Sequence, residues 1–186
     1  LISAAIDRYI YVALHRSFQP RYFVKYSSYE NVETVDQIKH PIVREAFRFH
    51  AVGPHIEMVS IADIPAGTGL GSSGSFTVGL LKGLHRMKRQ HATAAELAEE
   101  ACHLEIELLK SPVGKQDQYI AAFGGLICMD IDQKGRVVVS PLKLSNATLH
   151  DLDENLLMFY TGHSRLANSV LSDQKERSEK DDKEML

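Results

Sequence analysis

No apolar run in the 186-residue chain is long enough to span a bilayer, and no stretch shows the charged, apolar and small-residue phases of a signal peptide. A cytoplasmic location without a membrane partner is the expectation from that pattern. An excess of charge of either sign is missing too, since 21 Lys and Arg face 24 Asp and Glu for a net charge of -3. Such a balance offers no basic field to a nucleic-acid backbone, and none is expected as a partner. The one basic cluster, Lys82 to Arg89, is interleaved with Leu84 and Met87 at helical spacing and reads as the solvated face of a helix. Cysteine is scarce: Cys102 and Cys128 lack any metal-type spacing and read as small buried hydrophobes in a reducing compartment. Internal repeats and low-complexity linkers are absent, so a chain that is 44% apolar is expected to bury the core of one domain, or of one domain and a piece of another. The opening "LISAAIDRYIYVAL" has no initiator Met and the charged close "DQKERSEKDDKEML" has no visible cap, so further sequence is expected on both sides.

What is present alternates between strand and helix signals. Ile2 to Leu14 and, after Pro20, Arg21 to Tyr26 read as a strand pair. A helix is expected over Asp36 to Phe49 with Pro41 in its first turn, and a half-buried antiparallel strand over His55 to Asp63. Phe76, Leu80, Leu84 and Met87 recur at helical spacing up to Arg89. A capping box, Thr93-Ala-Ala-Glu96, then opens a second helix whose stripe of Leu97, Ala101, Leu104 and Leu108 runs to Pro112. Gln116 to Phe123 reads as a short helix stopped by Gly124-Gly125, followed by a hairpin of "LICMDI" and "RVVVSPL" around Lys134-Gly135. The polar stretch Asn146 to Asn155 is the expected domain boundary; beyond it "NLLMFYTG" reads as a strand and His163 onward as a helix.

The segment that asks for a function is "IPAGTGLGSSGSF", Ile64 to Phe76. Gly69, Gly71 and Gly74 satisfy G-x-G-x-x-G, yet a dinucleotide site would need a buried apolar strand directly before the first glycine and an acidic residue about 20 positions later. Neither is found. A protein-kinase glycine loop would lie between two strands, whereas this one enters a helix, and no Gly-Lys-Ser/Thr follows to make a Walker A loop. The surviving physics is a glycine-rich loop whose amides face an anion at a helix N-terminus, with Ser72 and Ser73 adding hydroxyls. Glu105, one residue beyond Leu104, sits at the edge of an apolar stripe, and a shielded carboxylate calls for a partner such as a hard cation. Asp117 follows twelve residues later in the first turn of a short helix. Loop, shielded Glu and loop-presented Asp together supply the parts of phosphoryl transfer: a cradle, a metal ligand and a partner for the acceptor hydroxyl.

"PAGTGLGSSGS", Pro65 to Ser75, resembles the central motif of the GHMP kinases, the superfamily of galactokinase, homoserine kinase, mevalonate kinase and phosphomevalonate kinase. Within it, "HLEIELLKSPVGKQDQYIAAFGG", "SAAIDRYIYV" and "YTGHSR" resemble the bacterial D-glycero-D-manno-heptose 7-phosphate kinases. The resemblance implies an α+β chain of GHMP kinase fold. Residues 1–148 would form a ribosomal protein S5 domain 2-like N-terminal, ATP-binding domain, and residues 149–186 would open an incomplete ferredoxin-like C-terminal domain. It implies that Pro65, Gly67, Thr68, Gly69, Leu70, Gly71, Ser72, Ser73 and Gly74 bind the nucleotide, that Ser73 and Glu105 hold Mg²⁺, and that Asp117 is catalytic and faces the substrate hydroxyl. Arg165 in "YTGHSRLA" is a further candidate for recognising the sugar or its phosphate. The family's glycine-rich N-terminal sugar-binding motif and its C-terminal glycine-rich motif are not in this sequence. The expected activity is ATP-dependent phosphorylation of a sugar phosphate, with heptose 7-phosphate phosphorylated at the anomeric hydroxyl. The competing expectations are a GHMP kinase of galactose, fucose or mevalonate type and a nucleotide- or sugar-binding sensor without turnover.

Overall fold

The computed structural model describes residues 1–159. The strands are β1 (Ile2–Ala4), β2 (Ile10–Arg16), β3 (Tyr22–Lys25), β4 (Tyr29–Val32), β5 (Ile56–Ala62), β6 (Leu126–Ile131) and β7 (Val137–Pro141). They divide into a four-stranded sheet of order β2-β5-β3-β4 and a three-stranded sheet of order β1-β6-β7. The expected opening strand pair does not form. β5 lies between its two halves, antiparallel to β2 from Ile10↔Ala62 to Arg16↔Ile56 and parallel to β3 from Tyr22↔Ile56 to Lys25↔Val59. Alternation along β5 reveals which face is buried, with Ile56 and Met58 at 2% and 0% exposure, but carries no information about the neighbouring strand. β1 leaves that sheet altogether and pairs with β6 through Ile2↔Cys128.

Helices α1 (Pro41–Phe49), α2 (Ser72–Met87), α3 (Ala94–Cys102) and α4 (Gln116–Phe123) precede the hairpin of β6 and β7, and α5 (Asn146–Glu154) follows it. α1 begins at Pro41, not at Asp36, because the residue before a proline is held out of the helical region and His40 is extended there; a separate 3-10 turn covers Val35–Gln37. Thr93 and Glu96 cap α3 reciprocally as expected. Instead of continuing as a regular helix to Pro112, the chain widens into a π-type turn, His103–Leu108, with Leu109 N–H donating to the Leu104 carbonyl at 3.0 Å. α4 stops at Gly124 and Gly125, whose φ angles of +69° and +66° favour glycine. The polar stretch expected as a boundary contains α5, capped by Ser145 and exposed throughout, so residue 148 falls inside a helix. No strand forms over residues 155–159; the rest of that expected strand and the helix from His163 lie outside the described residues.

α2 lies across the larger sheet, close enough to β2 that a Cβ on Gly83 would meet Leu14 Cδ1 at 2.7 Å. Val24, Met58, Phe47, Leu80 and Leu81 are fully buried between sheet and helices, each such side chain contributing about 1.5–3 kcal/mol. A second cluster of Cys102, Tyr119, Ile127 and Met129 joins α3 and α4 to the smaller sheet. Burial pushes the Cys102 thiol up to about 12, which leaves it an inert hydrophobe. Both cysteines are free thiols. Among the described residues no helix is long and apolar enough to cross a membrane. The packing brings the N-terminal turns of α2 and α4 together beside the π-type turn.

Candidate active site

The loop between β5 and α2 is shaped by Gly67, Gly69 and Gly71, with φ of +80°, +78° and +68°. Thr68 Oγ1 donates to the Pro65 carbonyl at 3.2 Å and closes the loop on itself, while Leu70 points to solvent. Gly71 is the cap of α2 and brings no side chain to it, and the first turn carries no acidic residue. The 16-residue helix, with Ser72, Ser73 and Gly74 in its first turn, thus brings neither a capping side chain nor an acidic residue of its own to its positive end. That is the electrostatic setting in which backbone amides bind phosphate.

Glu105 is more deeply placed than its sequence position at the edge of a stripe implies. It is 2% exposed, because the wider π-type turn rotates it inward. Ser73 Oγ donates to its Oε2 at 2.5 Å and Gln118 Nε2 to its Oε1 at 3.1 Å. Among the described residues no Lys or Arg lies within ion-pair distance of it. A buried carboxyl without a basic partner, beside an exposed serine hydroxyl, is a hard-oxygen donor set reachable from one side. It fits Mg²⁺, which takes one or two carboxylates and completes its shell with water and phosphate oxygens. Gln118 escaped the sequence analysis; its signal is a polar residue on the same helical face as the core-packing Ala121 and Ala122.

Asp117 stands on the other side of the same turn of α2. A Cβ on Gly71 would lie 3.1 Å from Asp117 Cγ, and one on Gly74 would lie 3.0 Å from the Asp117 carbonyl carbon and 3.1 Å from Gln118 N. Glycine at these positions is what lets α4 approach the loop. Burial raises the Asp117 pKa above the ordinary aspartate value, and the half-buried carboxyl makes no hydrogen bond or ion pair to the described residues. The structure therefore brings the glycine loop, Ser73, Glu105 and Asp117 to one place. Arg165 lies outside the described residues.

Residues 37–125 match the family model of the GHMP kinases N terminal domain. This part of the chain is a GHMP kinase N-terminal domain. The chain is 33% identical over 109 residues to a D-glycero-alpha-D-manno-heptose 7-phosphate kinase of Campylobacter jejuni subsp. jejuni serotype O:2, a match covering 59% of this chain and 32% of the relative. It is 30% identical over 143 residues to the mevalonate kinase of Methanothermobacter thermautotrophicus, covering 73% of this chain and 45% of that one. The crystal structure of a D-glycero-D-manno-heptose 1-phosphate kinase from Bacteriodes thetaiotaomicron superposes with a TM-score of 0.74 at 26% identity, over 82% of this chain and 54% of that chain. The GHMP kinase fold is thus shared, and the chain spans between about a third and about half the length of these relatives.

Proposed function

We propose that the full-length protein transfers the γ-phosphoryl group of ATP to a sugar phosphate, D-glycero-D-manno-heptose 7-phosphate, at its anomeric hydroxyl, giving the 1,7-bisphosphate. The observation that carries this reading is the packing of Asp117 against Gly71 and Gly74, which sets a carboxyl unpaired among the described residues beside a phosphate-type loop. In this reading residues 1–148 bind the nucleotide and residues 149–186 open a second domain.

The amides from Gly67 to Gly74 and the N-terminal end of α2 cradle the phosphates, with open space beside Gly69. Ser73 Oγ and Glu105 would hold Mg²⁺, whose contribution to this chemistry is to neutralise phosphate charge. Gln118 fixes the Glu105 carboxyl from its buried side. Asp117 accepts a hydrogen bond from the acceptor hydroxyl, aims its oxygen and takes its proton; its raised pKa makes it a better proton acceptor than an ordinary aspartate. Arg165 is assigned to the sugar or its phosphate. The heptose kinases' likeness in sequence and in fold supports the acceptor class, while the comparable identity to a mevalonate kinase keeps the mevalonate type as the alternative. A substrate panel on the full-length protein decides: heptose 7-phosphate is expected to be phosphorylated far better than the unphosphorylated heptose, galactose, fucose or mevalonate, with Arg165→Ala erasing most of that preference. Equal rates on mevalonate or galactose would remove the heptose assignment and leave the kinase reading standing.

A further inference from the structure

A second cluster of ligating side chains lies at the far end of α2. His50 caps the C-terminus of α1, His85 sits near the end of α2 and Glu100 projects from α3. Twelve residues of α2 separate Ser73 from His85, about 18 Å at 1.5 Å per residue, so this cluster is remote from the glycine loop. His50 Nε2 stands 2.5 Å from Glu100 Oε1, and His85 Nε2 stands 2.7 Å from Glu100 Oε2. Taking one ligand atom from each side chain, all lie within 4.8 Å of one another.

One arm of this cluster is a hydrogen bond, His85 Nε2 to Glu100 Oε2 at 2.7 Å; the other arm is not closed in the same way. The His50 side chain is only 6% exposed, and its Nε2, for all its closeness to Glu100, has no hydrogen-bond partner among the described residues. His85 Nδ1 is also buried without a hydrogen-bond partner among the described residues. Lys88 gives its ammonium mainly to the His50 carbonyl and reaches His50 Nδ1 only at 3.5 Å, the limit of a hydrogen bond. No Lys or Arg forms an ion pair with Glu100 among the described residues. Two imidazole nitrogens and one carboxylate, drawn from three helices and converging on one point, are the donor set of a tetrahedral zinc site with its fourth position open to water. Zinc bonds of about 2.0–2.2 Å place neighbouring ligand atoms about 3.3 Å apart, so the carboxylate must withdraw from each imidazole by somewhat under an ångström. Glu100 is 15% and His85 19% exposed in their side chains, which gives the ion and its water a way in.

We infer that His50, His85 and Glu100 form a zinc-binding site that staples α1, α2 and α3 together, independently of the proposed phosphoryl-transfer centre. An ion there satisfies the buried His50 nitrogen and replaces the two side-chain contacts with Glu100 by bonds between elements far apart in sequence.

The test is titration of the metal-free protein with zinc chloride, and with cobalt chloride as a spectroscopic stand-in, in excess Mg²⁺ to occupy oxygen sites. One ion per chain, a tetrahedral Co²⁺ spectrum and a rise in thermal midpoint on adding zinc are expected. His85→Gln and Glu100→Gln should each weaken zinc binding by at least the roughly 10- to 100-fold seen for loss of even an outer-shell partner and remove the thermal shift. Glu100→Gln keeps the shape of the side chain and preserves the test if His85→Gln does not fold. Absence of saturable zinc binding, zinc displaced by Mg²⁺, or undiminished binding in Glu100→Gln would overturn the inference.

Discussion

Gly74→Ala sets two effects against each other, and the structure decides between them. Helix propensity alone favours alanine inside α2 by about 0.5–1 kcal/mol. The new Cβ, however, would stand 3.0 Å from the Asp117 carbonyl carbon and Cβ and 3.1 Å from Gln118 N. Backbone atoms of α4 cannot swing aside as a side-chain tip can, so the two helices must separate by about 0.5–1 Å to reach ordinary contact. Overpacking of this kind costs about 1–3 kcal/mol, which outweighs or cancels the propensity gain. The functional cost is larger, because Asp117 and Gln118 both ride on α4. A shift approaching an ångström at the reacting group lowers kcat by about 10- to 100-fold. Gly79→Ala is the control: its Cβ meets only Val12 Cγ2 at 3.4 Å, so it should stabilise by about 0.5–1 kcal/mol and leave turnover unchanged. Urea unfolding and steady-state kinetics on the full-length protein measure both. If Gly74→Ala is as stable and as active as Gly79→Ala, the argument that α4 is held against the loop by missing side chains is wrong.

Ser73→Ala and Glu105→Gln should each raise the Mg²⁺ concentration needed for half-maximal activity, and the double variant should lose less than the product of the two, since ligands of one ion share one free energy. Multiplicative losses independent of Mg²⁺ would make both residues scaffold. Gly71→Val places a β-branched side chain at φ +68° and against Asp117; calorimetry should show nucleotide binding weakened by more than about tenfold, and normal affinity would clear the loop of that role. Asp117→Asn should raise stability at neutral pH. Burial lifts the folded-state pKa of Asp117, so the wild type loses stability relative to the Asn variant as pH climbs from the ordinary aspartate range through the raised value. Below that range the two should be equal, and a wild type more stable than Asp117→Asn at neutral pH would contradict the assignment of burial as the cause.

Much of the scaffold is written locally and was legible for that reason. α2, the Thr93 capping box, the Gly124-Gly125 stop and the β6–β7 hairpin each rest on residues a few positions apart. What escaped depends on partners distant in the chain or on backbone register. β5 intervenes between β2 and β3 because strand neighbours are chosen by three-dimensional packing. The inward turn of Glu105 comes from a change in helical hydrogen bonding at His103–Leu108, which a periodicity of apolar residues does not record. α5 hid in a polar stretch because an exposed helix needs no apolar stripe. The candidate site shows the same division: the glycine motif marks the loop, whereas Gln118 enters only once α4 is seen to dock on the π-type turn.

The central claim is that one centre, with Asp117 facing the acceptor, carries out phosphoryl transfer. Its most direct test is ³¹P-detected transfer from ATP to heptose 7-phosphate by the full-length protein and by Asp117→Asn under identical conditions. The wild type should form the 1,7-bisphosphate and ADP in equal amounts, and Asp117→Asn should lower kcat by about 10²- to 10⁴-fold while nucleotide affinity stays close to that of the wild type. No sugar bisphosphate from the wild type, or near-normal turnover by Asp117→Asn, would contradict the account.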